Sequence, residues 1–319
     1  MRDDDVVRAV EILRNGGLVA FPTETVYGLG ADATSPDALR RLYGVKRRPA
    51  DHPVIVHLGD PGQLDDWAID APVVARELAA ACWPGPLTIV VRRSSRVADE
   101  VTGGRDTVGL RVPDHPVALR LLAEFGGGLA APSANRFGRV SPTTAADVSA
   151  DLGDDVDLVL DGGACPVGVE STIVDCTSGA PVILRLGGLD AEAIGDVLVT
   201  EVPVATEVGG APGTLRSHYA PGANVVVVSE LDVAAQAEKL LESGARVGVL
   251  ATRALAHLPV GVVELDPPGS TREYARVLYS RFREADRLGV DVLLAVPAWQ
   301  GGIGRAVNDR LARAAGIGS

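Results

Sequence analysis

The segment Phe21-Pro22-Thr23-Glu24-Thr25-Val26-Tyr27-Gly28-Leu29-Gly30-Ala31-Asp32-Ala33 runs on through Thr34-Ser35-Pro36-Asp37 to Lys46-Arg47-Arg48-Pro49-Ala50-Asp51-His52-Pro53. It contains Gly-x-Gly-x-x-Ala, one form of the dinucleotide-binding fingerprint, and a strand, Leu18 to Phe21, lies just upstream. In that fingerprint the glycines open a helix whose N-terminus receives the pyrophosphate. Here Pro22 to Tyr27 separate strand from glycines, and the next helix starts only at Ser35-Pro36-Asp37, which supplies a cap, a first-turn proline and a first-turn acid. The dinucleotide reading is therefore set aside. The Walker A pattern is also absent from the chain.

Upstream, Val6, Val7, Val10, Ile12 and Leu13 form a near-helical stripe over residues 5–15 that Asn15-Gly16-Gly17 ends. Downstream, Pro53 to Leu58 and Leu87 to Val91 are continuous β-branched or aliphatic runs, as in strands buried on both faces. Shorter strand candidates are Val108 to Val112, Gly128 to Ala131, Leu158 to Leu160, Ser171 to Asp175 and Val182 to Leu186. Between about Val199 and Asn224 the periodicity lapses around two Pro-Gly steps, the pattern of a linker. Beyond it strands and helices alternate: strand Asn224–Val228, helix Asp232–Glu242, strand Arg246–Ala251, a short helix, strand Val262–Asp266, helix Thr271–Leu288, strand Val290–Val296 and helix Ile303–Ala315. That rhythm predicts a parallel sheet with right-handed crossovers, a small Rossmann-like domain. The expected organisation is a catalytic α/β domain over 1–198, a linker over 199–223 and the Rossmann-like domain over 224–319.

With 319 residues, the chain exceeds the usual single-domain size. Aromatics make up 4% of it, so its cores are aliphatic. The formal charge of −12 has the wrong sign for a general nucleic-acid-gripping surface, so any such contact is local. The acidic, amphipathic start lacks a signal-peptide pattern, and no apolar run approaches the roughly 20 residues of a membrane span. Cys82, Cys165 and Cys176 form no CxxC pair and read as free thiols of a reducing cytoplasm.

Against this acidic background Lys46-Arg47-Arg48 is a cation cluster at a proline-terminated turn, fit either to hold phosphates or to sit as a solvated charge run. His57 closes an apolar strand, where a half-buried, satisfied histidine is the ordinary case. Arg111 suits bidentate carboxylate binding, the alternative being a surface ion pair with Asp114. Ala131-Pro132-Ser133-Ala134-Asn135 follows Gly126-Gly127-Gly128, a small-residue loop that admits close backbone approach. Ser141, ahead of Pro142 and an Ala-rich stretch, reads as a helix N-cap, compatible with phosphate at the same helix end.

In order, FPTETVYGLG, KRRPADHPVIVH, WPGPLTIVV, TVGLRVPDHP, APSANRFGRVSPT, GVESTIVD and LRLGG resemble the YrdC-like domain of the threonylcarbamoyl-AMP synthases. APGTLRSHYAP and the C-terminal region resemble the longer, two-domain branch of that family. The resemblance implies a YrdC-like domain with a twisted mixed sheet, and an enzyme that makes threonylcarbamoyl-AMP and pyrophosphate from L-threonine, bicarbonate and ATP with Mg2+. The family needs no protein nucleophile, because in-line transfer at phosphorus runs on alignment and charge neutralisation. By the same carry-over Lys46, Arg48, His52, Thr107, Ser133, Ser141, Arg185 and Tyr219 meet ATP, and Thr25, His57, Arg111, the Ala131 backbone and Ser171 meet threonine. His52 stands where the family more often has Asn, and Thr214 where it commonly has Met. Glu170 is a candidate for magnesium or proton transfer. The segment Ser217-His218-Tyr219-Ala220-Pro221 resembles the family's lid. The family's product passes to a tRNA-modifying transferase complex. Two other readings of a YrdC-like domain are an RNA-binding module and a carbamoyltransferase, the latter usually accompanied by zinc-finger-like parts with paired cysteines.

Overall fold

The computed structural model describes residues 3–178, 180–205 and 219–317. The chain divides into two compact units, Met1–Phe137 with Ser141–Thr214, and Gly138–Val140 with Leu215–Ser319.

The first unit is built on nine strands: β1 (Val19–Phe21), β2 (Gly28–Asp32), β3 (Val56–His57), β4 (Leu87–Arg92), β5 (Thr107–Arg111), β6 (Leu129–Ala130), β7 (Leu158–Val159), β8 (Thr172–Asp175) and β9 (Val182–Arg185). They form one mixed sheet in the order β7-β1-β2-β6-β3-β5-β4-β8-β9. Alternate residues of a strand face opposite sides. Accordingly Val19, Phe21 and Leu129 pack with the helices Asp3–Arg14 and Pro116–Phe125, while Ala20, Leu29 and Ala130 belong to the larger core with Leu39, Leu42, Leu78 and Ile89. Both faces are covered, which is why strand after strand reads as apolar without alternation.

One expectation changes here, and one stretch to which the sequence assigned no element is settled. The run Pro53 to Leu58 yields a ladder only at Val56–His57, with Val54 and Leu58 bonded instead to the Val101 and Arg111 carbonyls. The Gly28-Leu29-Gly30 stretch is strand β2, a glycine-poor element by propensity. The hairpin register pairs Val19 with Gly30 and Phe21 with Gly28, and a Cβ at Gly30 would stand 2.9 Å from the Phe21 ring. These glycines make room for an aromatic ring, which accounts for their spacing without a phosphate.

In the second unit β10 (Asn224–Val227), β11 (Val247–Leu250), β12 (Val263–Glu264) and β13 (Val292–Ala295) form a wholly parallel sheet in the order β10-β13-β11-β12. The helices Val233–Glu242, Thr271–Arg287 and Gly304–Ala314 lie where the alternation places them. The short helix expected after β11 is absent. Residues 252–262 are turns, with His257 at φ 64°, Gly261 at φ 100° and Pro259 lacking the amide a helix needs. No helix among the described residues is long and apolar enough to cross a membrane.

Candidate active site

Lys46, Arg47 and Arg48 are adjacent in sequence, yet each has a different surrounding. Helix Pro36–Lys46 starts as read, with the Ser35 hydroxyl accepting from the Ala38 amide, and ends with Arg47 in the left-handed region at φ 51°. That reversal leaves Arg47 in solvent and turns Arg48 back so that its guanidinium donates to the His52 and Pro53 carbonyls, 5.4 Å from the Phe137 ring centre. Lys46, on the last helical turn, points inward and is 1% exposed. Its ammonium donates to the Ser133 and Asn135 carbonyls, both at 2.5 Å, and burial followed by the neighbouring Arg48 charge pushes its pKa well below the usual lysine value. The solvated-run alternative thus fails for Lys46 and fits Arg47. His52 sits edge-on to Phe137 at 5.4 Å between ring centres, its pKa lowered by burial and then by Arg48.

A second cluster lies across the sheet. In the parallel pair β3/β5, His57 stands directly opposite Arg111, so both side chains leave the same face. Arg111 is 4% exposed and its partner is Glu24, 6% exposed, with Nη2 and Oε1 2.7 Å apart. The Arg111 Nε–H donates to the Gly85 carbonyl, and the Asp114 amide donates to the second Glu24 oxygen. The alternative of an Arg111–Asp114 surface pair is therefore wrong: Asp114 contributes its backbone, and the acidic partner comes from the loop after β1. Thr25 is fully buried and its hydroxyl shares a hydrogen bond with Thr23 at 2.8 Å. The backbone of this loop is fixed by Val167 and Gly168 amides donating to the Glu24 and Thr25 carbonyls.

Burial first, and the Arg111 charge second, push the His57 pKa down to about 3 from an ordinary 6.5. The ring is therefore a neutral hydrogen-bonding group at physiological pH. Unfolding exposes it and restores the higher value, so from pH 6.5 down to about 3 the unfolded chain binds the extra proton. Stability is expected to be lost as pH falls through that window, by on the order of a few kcal/mol from this residue. Urea titrations between pH 7 and 4 check this: His57→Phe should show a shallower loss than the parent, and parallel curves would refute the assignment.

The remaining residues gather on loops joined by backbone hydrogen bonds, with Tyr27 and Leu29 amides donating to the Pro142 and Pro132 carbonyls and the Ala134 amide to Tyr27. The Ala131 amide donates to the Ile55 carbonyl, so any backbone contact to a ligand falls to its carbonyl. Ser141 is not an N-cap. The helix Ala145–Leu152 is capped by Thr144, and the buried Ser141 hydroxyl donates to Glu170 at 2.7 Å. Pro142 and the Thr143–Thr144 pair displace the helix start by three residues, where Thr144 and Asp147 complete a reciprocal capping box. Ser171 shares a hydrogen bond with Thr88 and accepts from Arg185 at its carbonyl and hydroxyl oxygens. Thr107, half-buried, begins β5 opposite Arg92. Tyr219 lies in the second unit at φ 64°, stacked on Tyr279 and 4.9 Å below the Arg310 guanidinium. Thr214, Ser217 and His218 lie outside the described residues. The structure thus brings Thr25, His57, Arg111 and Ser133 with its Lys46 anchor onto one sheet and its loops, with Ser141, Ser171 and Arg185 on the neighbouring segments.

A profile described as telomere recombination matches residues 11–187, and one described as the threonylcarbamoyl-AMP synthase C-terminal domain matches residues 189–316. The threonylcarbamoyl-AMP synthase of Pyrococcus abyssi is 42% identical over 325 residues, covering 97% of this chain and 93% of the relative. This chain belongs to the threonylcarbamoyl-AMP synthase family. The same-named protein of Bacillus subtilis is 38% identical, across 98% of this chain and 94% of its own length. The crystal structure of Pyrococcus abyssi Sua5 complexed with L-threonine superposes with a TM-score of 0.92 at 40% identity, covering 99% of this chain and 96% of that one. The chain is thus a two-domain member of the family, a YrdC-like unit followed by the family's C-terminal domain, and an enzyme.

Sequence reasoning missed Glu24. The signal was present: a lone carboxylate between two threonines in an otherwise apolar strand-turn stretch, where a buried cation has to answer it. Its partner is 87 residues away, a pairing that only the sheet supplies.

Proposed function

We propose that this family member forms threonylcarbamoyl-AMP and pyrophosphate from L-threonine, bicarbonate and ATP, as a nucleotidyltransferase whose product serves threonylcarbamoyladenosine modification of tRNA through a separate transferase complex. The observation that carries the substrate half is the buried guanidinium of Arg111 beside the neutral ring of His57, a cation and an uncharged hydrogen-bonding group on one sheet face. Arg111 receives the threonine carboxylate, with Thr25, His57, Ser171 and the Ala131 carbonyl around the rest of the molecule. The neutral amino group bonds to the bicarbonate carbon as a C–O bond breaks and water leaves, and an oxygen of the resulting carbamate bonds to the α-phosphorus as the bond to pyrophosphate breaks.

Arg48, Arg185, Thr107, Ser133, Ser141 and His52 are proposed to hold ATP. Lys46 is proposed to act by fixing the Ser133–Asn135 carbonyls, since its ammonium is committed there. Mg2+ would accompany the triphosphate and offset its charge; Glu170, bonded to Ser141, is the carboxylate we propose to serve it. The role of the 199–223 segment, with Tyr219 as an ATP contact, is proposed on the resemblance alone.

The test is pyrophosphate release from ATP by the purified chain. Release should require both L-threonine and bicarbonate. Turnover with carbamoyl phosphate and without threonine would overturn the reading in favour of a carbamoyltransferase.

A further inference from the structure

The Glu24–Arg111 pair has a property that a purely structural ion pair lacks. The two atoms in contact, Oε1 and Nη2, are 2.7 Å apart, yet each is buried and has no aligned hydrogen-bond partner among the described residues. His57 Nδ1, on the residue opposite Arg111 in the ladder, is buried and unaligned as well. Buried polar atoms are normally hydrogen-bonded, and leaving one unsatisfied costs about 1–3 kcal/mol. Three such atoms on adjoining elements mark a place with unspent hydrogen-bonding capacity. The pair is otherwise anchored from behind, Arg111 through Nε to Gly85 and Glu24 through Oε2 to the Asp114 amide.

On the reading that threonine is the substrate, we infer that Glu24 receives its α-ammonium while Arg111 receives its carboxylate, so that the buried ion pair is a mould of the zwitterion with the charges reversed. Without substrate the two buried charges neutralise each other, which avoids the several kcal/mol that either would cost alone. A zwitterion laid across them makes an alternating arrangement of four charges and gives Oε1 and Nη2 the aligned partners they lack. His57, neutral at working pH, adds a hydrogen bond without adding charge. Such a site selects for a molecule carrying both an ammonium and a carboxylate. An amine alone, or a carboxylate alone, leaves one charge of the pair uncompensated.

Calorimetric titration of the full chain with L-threonine, with the matching 2,3-dihydroxybutanoate that has a hydroxyl for the ammonium, and with threoninol, which lacks the carboxylate, tests this. The parent should bind threonine at least about tenfold more tightly than either analogue, the size of one charge-assisted hydrogen bond. Glu24→Gln should lose about tenfold or more for threonine, while its affinity for the dihydroxy acid stays level or rises, because Arg111 no longer shares its charge. Equal losses for both ligands would show that Glu24 only props Arg111 and would overturn the inference. So would a parent that binds threonine and the dihydroxy acid equally, a result that needs no variant to fold. Glu24→Asp, which keeps the charge, should restore part of the preference for threonine. A parent that binds none of the three ligands would instead remove the threonine reading itself.

Discussion

Lys46→Ala is expected to lower kcat/KM for pyrophosphate release about a hundredfold and to destabilise the protein by about 2–5 kcal/mol. The stability term follows from burial: removing the ammonium leaves the Ser133 and Asn135 carbonyls without their donor in a site where Lys46 is 1% exposed, and leaves a void of three methylenes and the ammonium. The activity term follows from position. Those two carbonyls belong to the loop carrying Ser133, and a shift of about 1 Å in a positioning group can cost a hundredfold. Lys46→Met separates the two effects. It refills the void without the donors, so it should regain stability while activity stays low. Urea unfolding and the pyrophosphate assay read the two quantities, and a Met variant with parental turnover would show that the ammonium does not hold the loop.

Gly187→Ala should be nearly as damaging, although it adds one methyl. That Cβ would overlap the Glu170 carbonyl oxygen and lie 2.5 Å from the Ser171 carbonyl oxygen, both backbone atoms that no rotamer change can move aside. The same backbone is held by the Gly188 amide on Glu170 and by Arg185 on Ser171, so the whole GVES turn must shift. Overpacking of this kind costs about 1–3 kcal/mol, and displacing Ser171 should reduce kcat/KM by about a hundredfold. Gly44→Ala is the control. Gly44 is an exposed helix residue with nothing within 4 Å of the added methyl, so it should be neutral or stabilising by about 0.5–1 kcal/mol. Comparable damage from both substitutions would refute the steric account.

The elements of both units were legible because they arise from local causes. Ser35-Pro36-Asp37 caps its helix, the β-branched runs become strands, and the alternation after residue 223 gives a parallel sheet. Misreadings arose where tertiary packing overrode local preference. Pro53–Leu58 forms little ladder because its ends bond elsewhere, and Gly28–Asp32, to which the sequence assigned no element, is a strand whose glycines leave space for the Phe21 ring. Ser141 resembled a cap in a sequence where Thr144 serves as one.

The proposed site residues were singled out by type and order, as candidate carboxylate and phosphate receptors in a small-residue framework. Their partners were not. Lys46 and Arg48 look equivalent in the string Lys46-Arg47-Arg48, and the left-handed turn at Arg47 sends one into the interior and the other toward Phe137. In the opening segment, sequence alone determined that a strand, a turn and a capped helix lead to a cation cluster, because propensity and capping act over a few residues. Only the tertiary structure decided that Glu24 answers Arg111, that His57 stays neutral and that Lys46 binds carbonyls. Charge pairing and desolvation depend on which groups the sheet brings together, whatever their separation along the chain.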